Sequence, residues 1–319
     1  MDVSIIIVNW NSKEYLGKCL ASIHALTNDI KFEIVVIDNA SFDGVEEMLK
    51  QYFPQVRFIQ SEKNLGFARA NNAAFQSAHG RHILFLNPDT EIEGEAVQTL
   101  SHWLDSATDI GIAGPKLLNG DRSIQTTSIR AFPTILNQIV DLHALRRVFP
   151  RAGLWGAGPL FRGGVDPVAV DAVSGACLMI KRPVFEAVGL FSGDYFMYSE
   201  DIDLCFKANE AGWKTIYVPA ASVVHHGGTS SSQSKVSTFS SVMMLESRWR
   251  FFRKTRSSFY CWSYRFAMAL SSVIRIALAV VAWPIYRVRG RGDSIQNVIR
   301  KWSARLRWTF GGESWVKSQ

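Results

Sequence analysis

In His82-Ile83-Leu84-Phe85-Leu86-Asn87-Pro88-Asp89-Thr90 an apolar run, Ile83–Leu86, stops at Asn-Pro-Asp and so delivers a carboxylate to its tip. Proline fixes φ and removes one backbone donor, so Asn87-Pro88-Asp89-Thr90 is expected to form a rigid turn that positions Asp89. Mg²⁺ or Mn²⁺ usually takes one or two carboxylates and completes its shell with water and phosphate oxygens. One aspartate therefore suffices at a cation site if the substrate brings a diphosphate. Taken alone, the motif reads as a turn.

Other acids and histidines stand at comparable places. Asp38 ends the apolar run Glu33–Ile37, where it could accept hydrogen bonds from a nucleotide base or ribose, or close an Asx turn. Glu200, Asp201 and Asp203 follow Phe196-Met197-Tyr198 and open a helix. Acids are favoured at a helix start in any case. Three of them crowded behind aromatic residues repel one another and raise at least one pKa, which suits a general base. His225-His226 ends a strand and precedes Gly227-Gly228, a pair that could ligate a cation while the glycines let backbone approach phosphate.

Such residues act together only if strands and helices bring them to one place. Apolar runs at Val3–Val8, Glu33–Ile37, Val56–Gln60, Ile83–Leu86 and Ile110–Gly114 alternate with helical spacing over 13–26, 45–52, 66–78 and 94–105. Strands buried on both faces and separated by helices imply an α/β fold with a doubly wound, mostly parallel sheet. Ligands of such sheets sit beyond the carboxyl ends of the strands. Asn9 and Asn11, Asp38, Asn64 and Asp89 all fall there, which points to one crevice. Residues 116–170 read as an irregular excursion or lid. A helix over 201–212, a strand at 214–218 and the segment Val223–His226 follow, and then the linker-like run 229–234.

The 319 residues suffice for one large α/β domain with an appendage. Their composition, 47% hydrophobic and 20% charged, is that of a folded protein. Cys19, Cys177, Cys205 and Cys261 are far apart, which argues against a zinc site or disulfide framework and suits a reducing compartment. The first residues read as a strand, so no secretory signal is expected. Residues 1–245 carry 20 Lys and Arg against 25 Asp and Glu, whereas residues 246–319 carry 15 against three. A tail so basic seeks polyanions. Within it, residues 266–286 are mostly apolar with one charge, Arg275, and are flanked by arginines and by Trp262, Tyr264, Trp283 and Tyr286. The segment is long enough to span a bilayer, to lie in its interface or to pack as a core helix. No phosphate-binding Gly-x-x-x-x-Gly-Lys, no Gly-x-Ser-x-Gly and no RNA-binding stripe occurs, so no nucleic-acid partner is expected.

The ordered stretches VSIIIVNWN, EIVVIDNASFDG, NLGFARANNAA, LFLNPDT, SGACLMIKR, FMYSEDIDLCFKANEAGW and VVHHGGTS, over residues 3–232, resemble those of a family 2 (GT-A fold) glycosyltransferase. They resemble most the rhamnosyltransferase-like branch of cell-surface polysaccharide biosynthesis. That resemblance implies a GT-A domain over 1–235, with a nucleotide-binding half (1–115) and an acceptor and catalytic half (116–235), followed by a basic helical tail (236–319). It implies inverting transfer of a sugar, rhamnose from dTDP-rhamnose as the first guess, onto a hydroxyl of a lipid-linked saccharide or polysaccharide. Val8, Asn9, Asn11, Asp38, Asn64, Asn71 and Asn87 would lie along the donor nucleotide. Asp89 and His225 would hold Mg²⁺ or Mn²⁺, with His226 the lesser candidate. Asp201 would be the catalytic base and Glu200 would contact the acceptor. Many relatives carry Asp-x-Asp where this chain has Asn87-Pro88-Asp89, so a weakly held metal is implied. The tail, over 246–291, would seat the enzyme at the cytoplasmic face of the cell membrane, peripherally, monotopically or by a single span. Two rival readings are a nucleotidyltransferase on a similar sheet and a non-catalytic component of a polysaccharide assembly complex. The first should carry a lysine-containing glycine loop where this chain has Asn9-Trp10-Asn11-Ser12.

Overall fold

In a computed structural model, residues 1–140, 145, 148–227, 236–288 and 292–317 are described. The chain forms two compact units. One gathers residues 1–132, 143–196 and 200–230, the other residues 133–142, 197–199 and 231–319. The division expected near residue 235 falls among residues outside the description, as does the linker-like run 229–234.

The first unit begins as the hydrophobic pattern requires. Strands β1 (Val3–Asn9), β2 (Phe32–Asp38), β3 (Arg57–Gln60) and β4 (His82–Leu86) lie in the order β3-β2-β1-β4, all parallel. Every residue of β1 and β4 is buried, as strands covered on both faces must be. Helices α1 (Lys13–Leu26), α2 (Val45–Tyr52) and α3 (Gly66–Phe75) make the crossovers. Leu16, Cys19, Leu20 and Ile23 form the buried stripe of α1 and join Ile5, Ile7, Leu84 and Leu86 in one core.

Beyond β4 the sheet becomes mixed. A short strand β5 (Thr90–Glu93) follows the Asn-Pro-Asp turn directly, then α4 (Ala96–Asp105) and β6 (Ile110–Leu118). The expected irregular excursion contains two-residue β7 (Ile129–Arg130), then β8 (Val168–Val170) and β9 (Ala172–Val173). Strand β10 (Cys177–Lys181) inserts between β4 and β6, antiparallel to both. Its insertion brings the turn before Cys177 to the tip of β4. Helix α7 (Glu200–Glu210) comes after α5 (Ile135–Ile139), which belongs to the second unit, and α6 (Arg182–Ala187). The two segments expected around 214–218 and 223–226 are one strand, β11 (Lys214–His225), parallel to β6 and antiparallel to β5 and β8. Its register shifts between Val218 and Ser222. Pro219 sits there, and a bulge is where a residue lacking an N–H fits a sheet interior.

The second unit is helical: α5, α8 (Val236–Thr255), α9 (Ser258–Val288) and α10 (Gly292–Thr309). Phe251, Phe252, Tyr264 and Trp308 are fully buried among these helices. Glu246 accepts from the Trp308 indole at 2.9 Å and from Arg250 Nε at 3.2 Å. The short segment Met197–Ser199 belongs here too. Ser247 Oγ donates to Met197 O at 2.8 Å and Arg248 Nη1 donates to Ser199 Oγ at 2.9 Å. Tyr198 and Ser199 both have positive φ, 69° and 70°, a strained conformation for non-glycine residues that persists where surroundings impose it.

Candidate active site

The parallel register puts Asn9 opposite Asp38, and Ile7 opposite Leu86, at the carboxyl ends of three adjacent strands. Asn9 is buried and its Nδ2 donates to Asp38 Oδ1 at 2.7 Å, whereas its own Oδ1 is buried with no donor among the described residues. Asp38 Oδ2 accepts from the backbone N–H groups of Ser41 and Phe42 at 3.0 and 3.2 Å and from Gln60 Nε2 at 2.9 Å. Burial opposes the Asp38 charge, but the donors Asn9, Gln60 and Ser41 outweigh it and hold the carboxyl below its ordinary value. Asp38 thus organises the loop beyond β2 as well as ending the strand. That loop, with Phe42, Gln60 and the first turn of α2, lines a cavity of about 240 Å³.

The neighbouring loop ends are tied together. The Asn11 N–H donates to Ser41 Oγ at 2.8 Å. Asn11, Ala40 and Phe42 all have φ between 51° and 62°. Such strain concentrates where a chain is shaped for a ligand. Val8 is buried just before this edge. Asn64 Oδ1 accepts from Asn39 Nδ2 and from the Gly66 N–H, both at 2.9 Å, so it fastens the start of α3 to the β2 loop. Gly66 has φ 76°, and a Cβ there would fall 2.3 Å from Phe196 O, so no other residue fits. Asn71 lies further along α3, buried, and donates to Phe67 O at 2.9 Å. It is therefore placed behind the crevice edge, inside the helix packing.

At the tip of β4 the Asn87 N–H donates to Ala176 O at 2.9 Å, and Thr90 Oγ1 donates to Asn87 O at 2.7 Å. Pairing of β5 with β11 sets His225 opposite Thr90, and the His226 N–H donates to Asp89 O at 2.9 Å. His225 Nε2 consequently lies 3.3 Å from Asp89 Oδ1 and 3.4 Å from Asn87 Nδ2. Gln125 Oε1 is 2.8 Å from His225 Nδ1, and Gln125 Nε2 donates to Asn119 Oδ1 and His225 O. These bonds orient the amide so that its oxygen accepts from Nδ1–H, which leaves Nε2 facing Asp89. His226 turns away to Glu91, 2.7 Å from Oε1.

Asp201 reaches the same place from the other side. It is buried in the first turn of α7, accepting from the Gly175 N–H at 3.0 Å through Oδ2 and from the Ile202 N–H at 2.8 Å through Oδ1. Gly175 precedes Ala176, whose carbonyl holds Asn87. One turn therefore links the Asp89 loop to Asp201. A Cβ on Gly175 would lie 3.2 Å from Asp201 Cβ, closer than such contacts normally are. Glu200 is buried beside Asp201. Asp203 is different. It accepts from Ser192 Oγ and from Tyr195 OH at 3.1 Å, with Lys207 Nζ at 3.7 Å, a buried clamp behind the helix start.

Asp89 and His225 are 3.3 Å apart, and the Gly175-Ala176 turn joins the loop before Asp89 to Asp201. Gln125, in a segment expected to be irregular, and Gly175, near the start of the run SGACLMIKR, show no such role by residue type or spacing. Among the described residues no group of three or more His, Cys, Asp and Glu is arranged to hold a metal ion. One carboxylate and one imidazole remain, a donor set that fits a hard divalent cation only when other oxygens complete its shell.

The family description Glycosyl transferase family 2 matches residues 4–155, and Glycosyl transferase family group 2 matches residues 82–288. The N-acetylglucosaminyl-diphospho-decaprenol L-rhamnosyltransferase of Mycobacterium tuberculosis is 29% identical over 248 residues, 73% of this chain and 78% of that protein. Rhamnosyltransferase WbbL of Escherichia coli K12 is 28% identical over 70% of this chain and 83% of its own length. Among solved structures, the mannosyltransferase of Pyrobaculum calidifontis bound to GDP-Man and Mn²⁺ superposes with a TM-score of 0.58 at 15% identity, covering 97% of this chain and 86% of that one. GalNAc-T7 with UDP, GalNAc and Mn²⁺ gives 0.56 at 21% identity over 70% of this chain and 44% of that one. These likenesses carry the GT-A type of fold.

Proposed function

Because this chain belongs to glycosyl transferase family group 2, we propose that its edge of Asp89, His225 and Asp201 is the centre of an inverting transfer from a nucleotide-diphosphate sugar to an acceptor hydroxyl. The observation that carries this reading is the Gly175-Ala176 turn, whose backbone holds Asp201 on one side and the Asn87-Pro88-Asp89 loop on the other. Asp201 takes the proton from the acceptor hydroxyl as that oxygen attacks the anomeric carbon. The bond from that carbon to the diphosphate oxygen breaks on the opposite face, and configuration inverts. The leaving diphosphate needs no second carboxylate as acid, unlike the leaving group of a two-carboxylate hydrolase.

Asp89 and His225 would hold a divalent cation, Mg²⁺ or Mn²⁺, with Gln125 orienting the imidazole. Bound there, such a cation supplies positive charge against the departing diphosphate. The protein offers few ligands, so the donor's phosphates would complete the shell and cation and donor would bind together. Asn9, Asn11, Asp38 and the cavity beside Phe42 and Gln60 would take the nucleotide, bordered by Val8, Asn64 and Asn87; Asn71 would support that wall from within α3. Glu200 would meet the acceptor.

The names of the two rhamnosyltransferases support rhamnose as the sugar transferred, and the first supports a polyprenyl-diphosphate-linked saccharide as acceptor; dTDP-rhamnose is the donor that the family resemblance implies. Residues 1–235 would then be the catalytic domain and 236–319 the basic tail, working at the cytoplasmic membrane surface. The apolar helix, over Ser258–Pro284, supports that location; the flanking residues Arg289 and Arg291 lie outside the described residues. The test is release of nucleoside diphosphate from dTDP-, UDP- and GDP-sugars with Mn²⁺, with and without the lipid-linked acceptor. Release from dTDP-rhamnose that requires acceptor is expected. Liberation of sugar 1-phosphate in its place, with the nucleoside monophosphate passed to the acceptor, would point to nucleotidyl transfer, and no release from any donor to a non-catalytic component.

A further inference from the structure

Helix α9 is apolar on the side away from its own unit. Phe259, Trp262, Phe266, Leu270 and Val273 recur every three or four residues, Val281 follows eight residues on, and all are 50–83% exposed. The opposite face is not apolar throughout. Tyr264 and Met268 are buried there with Ser271 and Ser272, and Ser272 Oγ donates to Met268 O at 2.7 Å. Arg275, the charge in the middle of the segment, is also on that face. Its Nη2 donates to Ile139 O at 2.9 Å, and its guanidinium stands 4.3 Å over the Trp302 ring.

This distribution discriminates between the ways an apolar helix can meet a bilayer. A spanning helix is surrounded by hydrocarbon or by other apolar segments. Here α10 runs alongside α9: Arg265 Nη2 donates to Trp308 O at 2.9 Å, Tyr264 meets Trp308 edge to face, and Arg275 covers Trp302. Helix α10 carries Arg300, Lys301, Arg305 and Arg307. Were α9 to cross the membrane, those cations would be drawn into hydrocarbon, where each is costly. Exposed Arg253, Lys254 and Arg256 lie just before the apolar stripe and Arg287 near its end. Basic residues at both ends of an outward apolar face complement an anionic surface rather than a second apolar protein face.

We infer that α9 lies in the plane of an anionic membrane leaflet, immersed to the depth of one helix face, with Arg275 turned away from lipid and bound within the protein. This deepens the membrane-surface reading above and rests on it. The occupant of the stripe is lipid acyl chain and headgroup.

The full chain is to be tested by flotation with phosphatidylcholine vesicles, with and without phosphatidylglycerol. Phe259→Cys, Leu270→Cys and Val281→Cys variants would then carry an environment-sensitive fluorophore, quenched by lipids brominated at successive depths. The four native cysteines are buried, so the label reports the introduced site. Binding that requires phosphatidylglycerol, with all three labels at one shallow depth, is expected. A Leu270 label at the bilayer centre with the other two shallow would establish a span and overturn the in-plane seat. Failure to bind either vesicle would remove the membrane reading itself. Phe266→Glu, at a site 71% exposed, should keep the melting temperature and lower vesicle binding about tenfold or more. Unchanged binding by that variant would show that this stripe is not the docking face.

Discussion

His225 approaches Asp89 to 3.3 Å through Nε2 while its other ring nitrogen is 2.8 Å from Gln125. The two distances together give the imidazole one orientation and leave one nitrogen for a ligand. Gln125 therefore governs what His225 presents. Gln125→Ala is expected to weaken Mn²⁺ affinity about 10–100-fold, as loss of an outer-shell partner does. His225→Ala should weaken it at least as much. Titration of Mn²⁺ by electron paramagnetic resonance, with nucleoside diphosphate present, measures both; equal affinity in Gln125→Ala and wild type would remove this glutamine from the site.

Asp201 and Asp203 are two residues apart and are expected to fail in different ways. Asp201→Asn should cut turnover about 10²–10⁴-fold, the range for loss of a general base. Donor binding and thermal stability should persist in that variant. Asp203→Ala strips the partner from Ser192 and Tyr195 in a buried clamp, so it should cost about 1–3 kcal/mol of stability. Parallel melts and single-turnover assays compare them. The assignment is reversed if Asp203→Ala is the folded, inactive one.

Gly175→Ala probes the turn between the two loops. A methyl group 3.2 Å from Asp201 Cβ must displace the carboxylate or the turn by tenths of an ångström. Such a shift should lower kcat about tenfold or more with donor KM little changed, because positioning errors near reacting atoms act on the transition state. Steady-state kinetics on a variant with wild-type melting temperature is the measurement.

Acid stability should bear the mark of His82. The ring is buried beneath Ser101 and Asp105, and desolvation pushes its pKa from 6.5 to about 4. The folded value lies below the unfolded one, so the unfolded chain binds the proton first. Stability is thus complete above pH 6.5 and falls as pH drops toward 4, by roughly 3 kcal/mol at most. A His82→Gln variant should show a flatter stability profile across that window by urea denaturation. A slope identical to wild type would assign the loss to other groups.

The first half of the sheet was legible because β1, β2 and β4 hold the apolar runs Ile5–Val8, Ile34–Ile37 and Ile83–Leu86, each followed by a polar residue at the ligand edge. The later half was less so. Strand β5 has four residues directly after a turn, too few to show alternation, and it exists because β11 offers it an edge. β11 was expected as two segments, 214–218 and 223–226; Pro219 lies between them and in the structure marks a register shift rather than an end. Asp89, Asp201 and His225 could be named from residue type and place. Gln125 and Gly175 could not, since an amide and a glycine in irregular chain carry no signal until β6 pairs with β11 and sets Gln125 beside His225, and β10 pairs with β4 and sets the Gly175 turn beside Asn87.

Residues 197–199 belong to the helical unit although they immediately precede Glu200 and Asp201. Cutting the chain near residue 235 would leave Met197 O and Ser199 Oγ without Ser247 and Arg248, and two left-handed residues without what constrains them. The tail is therefore more than an anchor that can be trimmed for solubility. A shortened protein would carry a torn fragment of the missing unit directly upstream of its proposed base, and its inactivity would say nothing about the need for lipid.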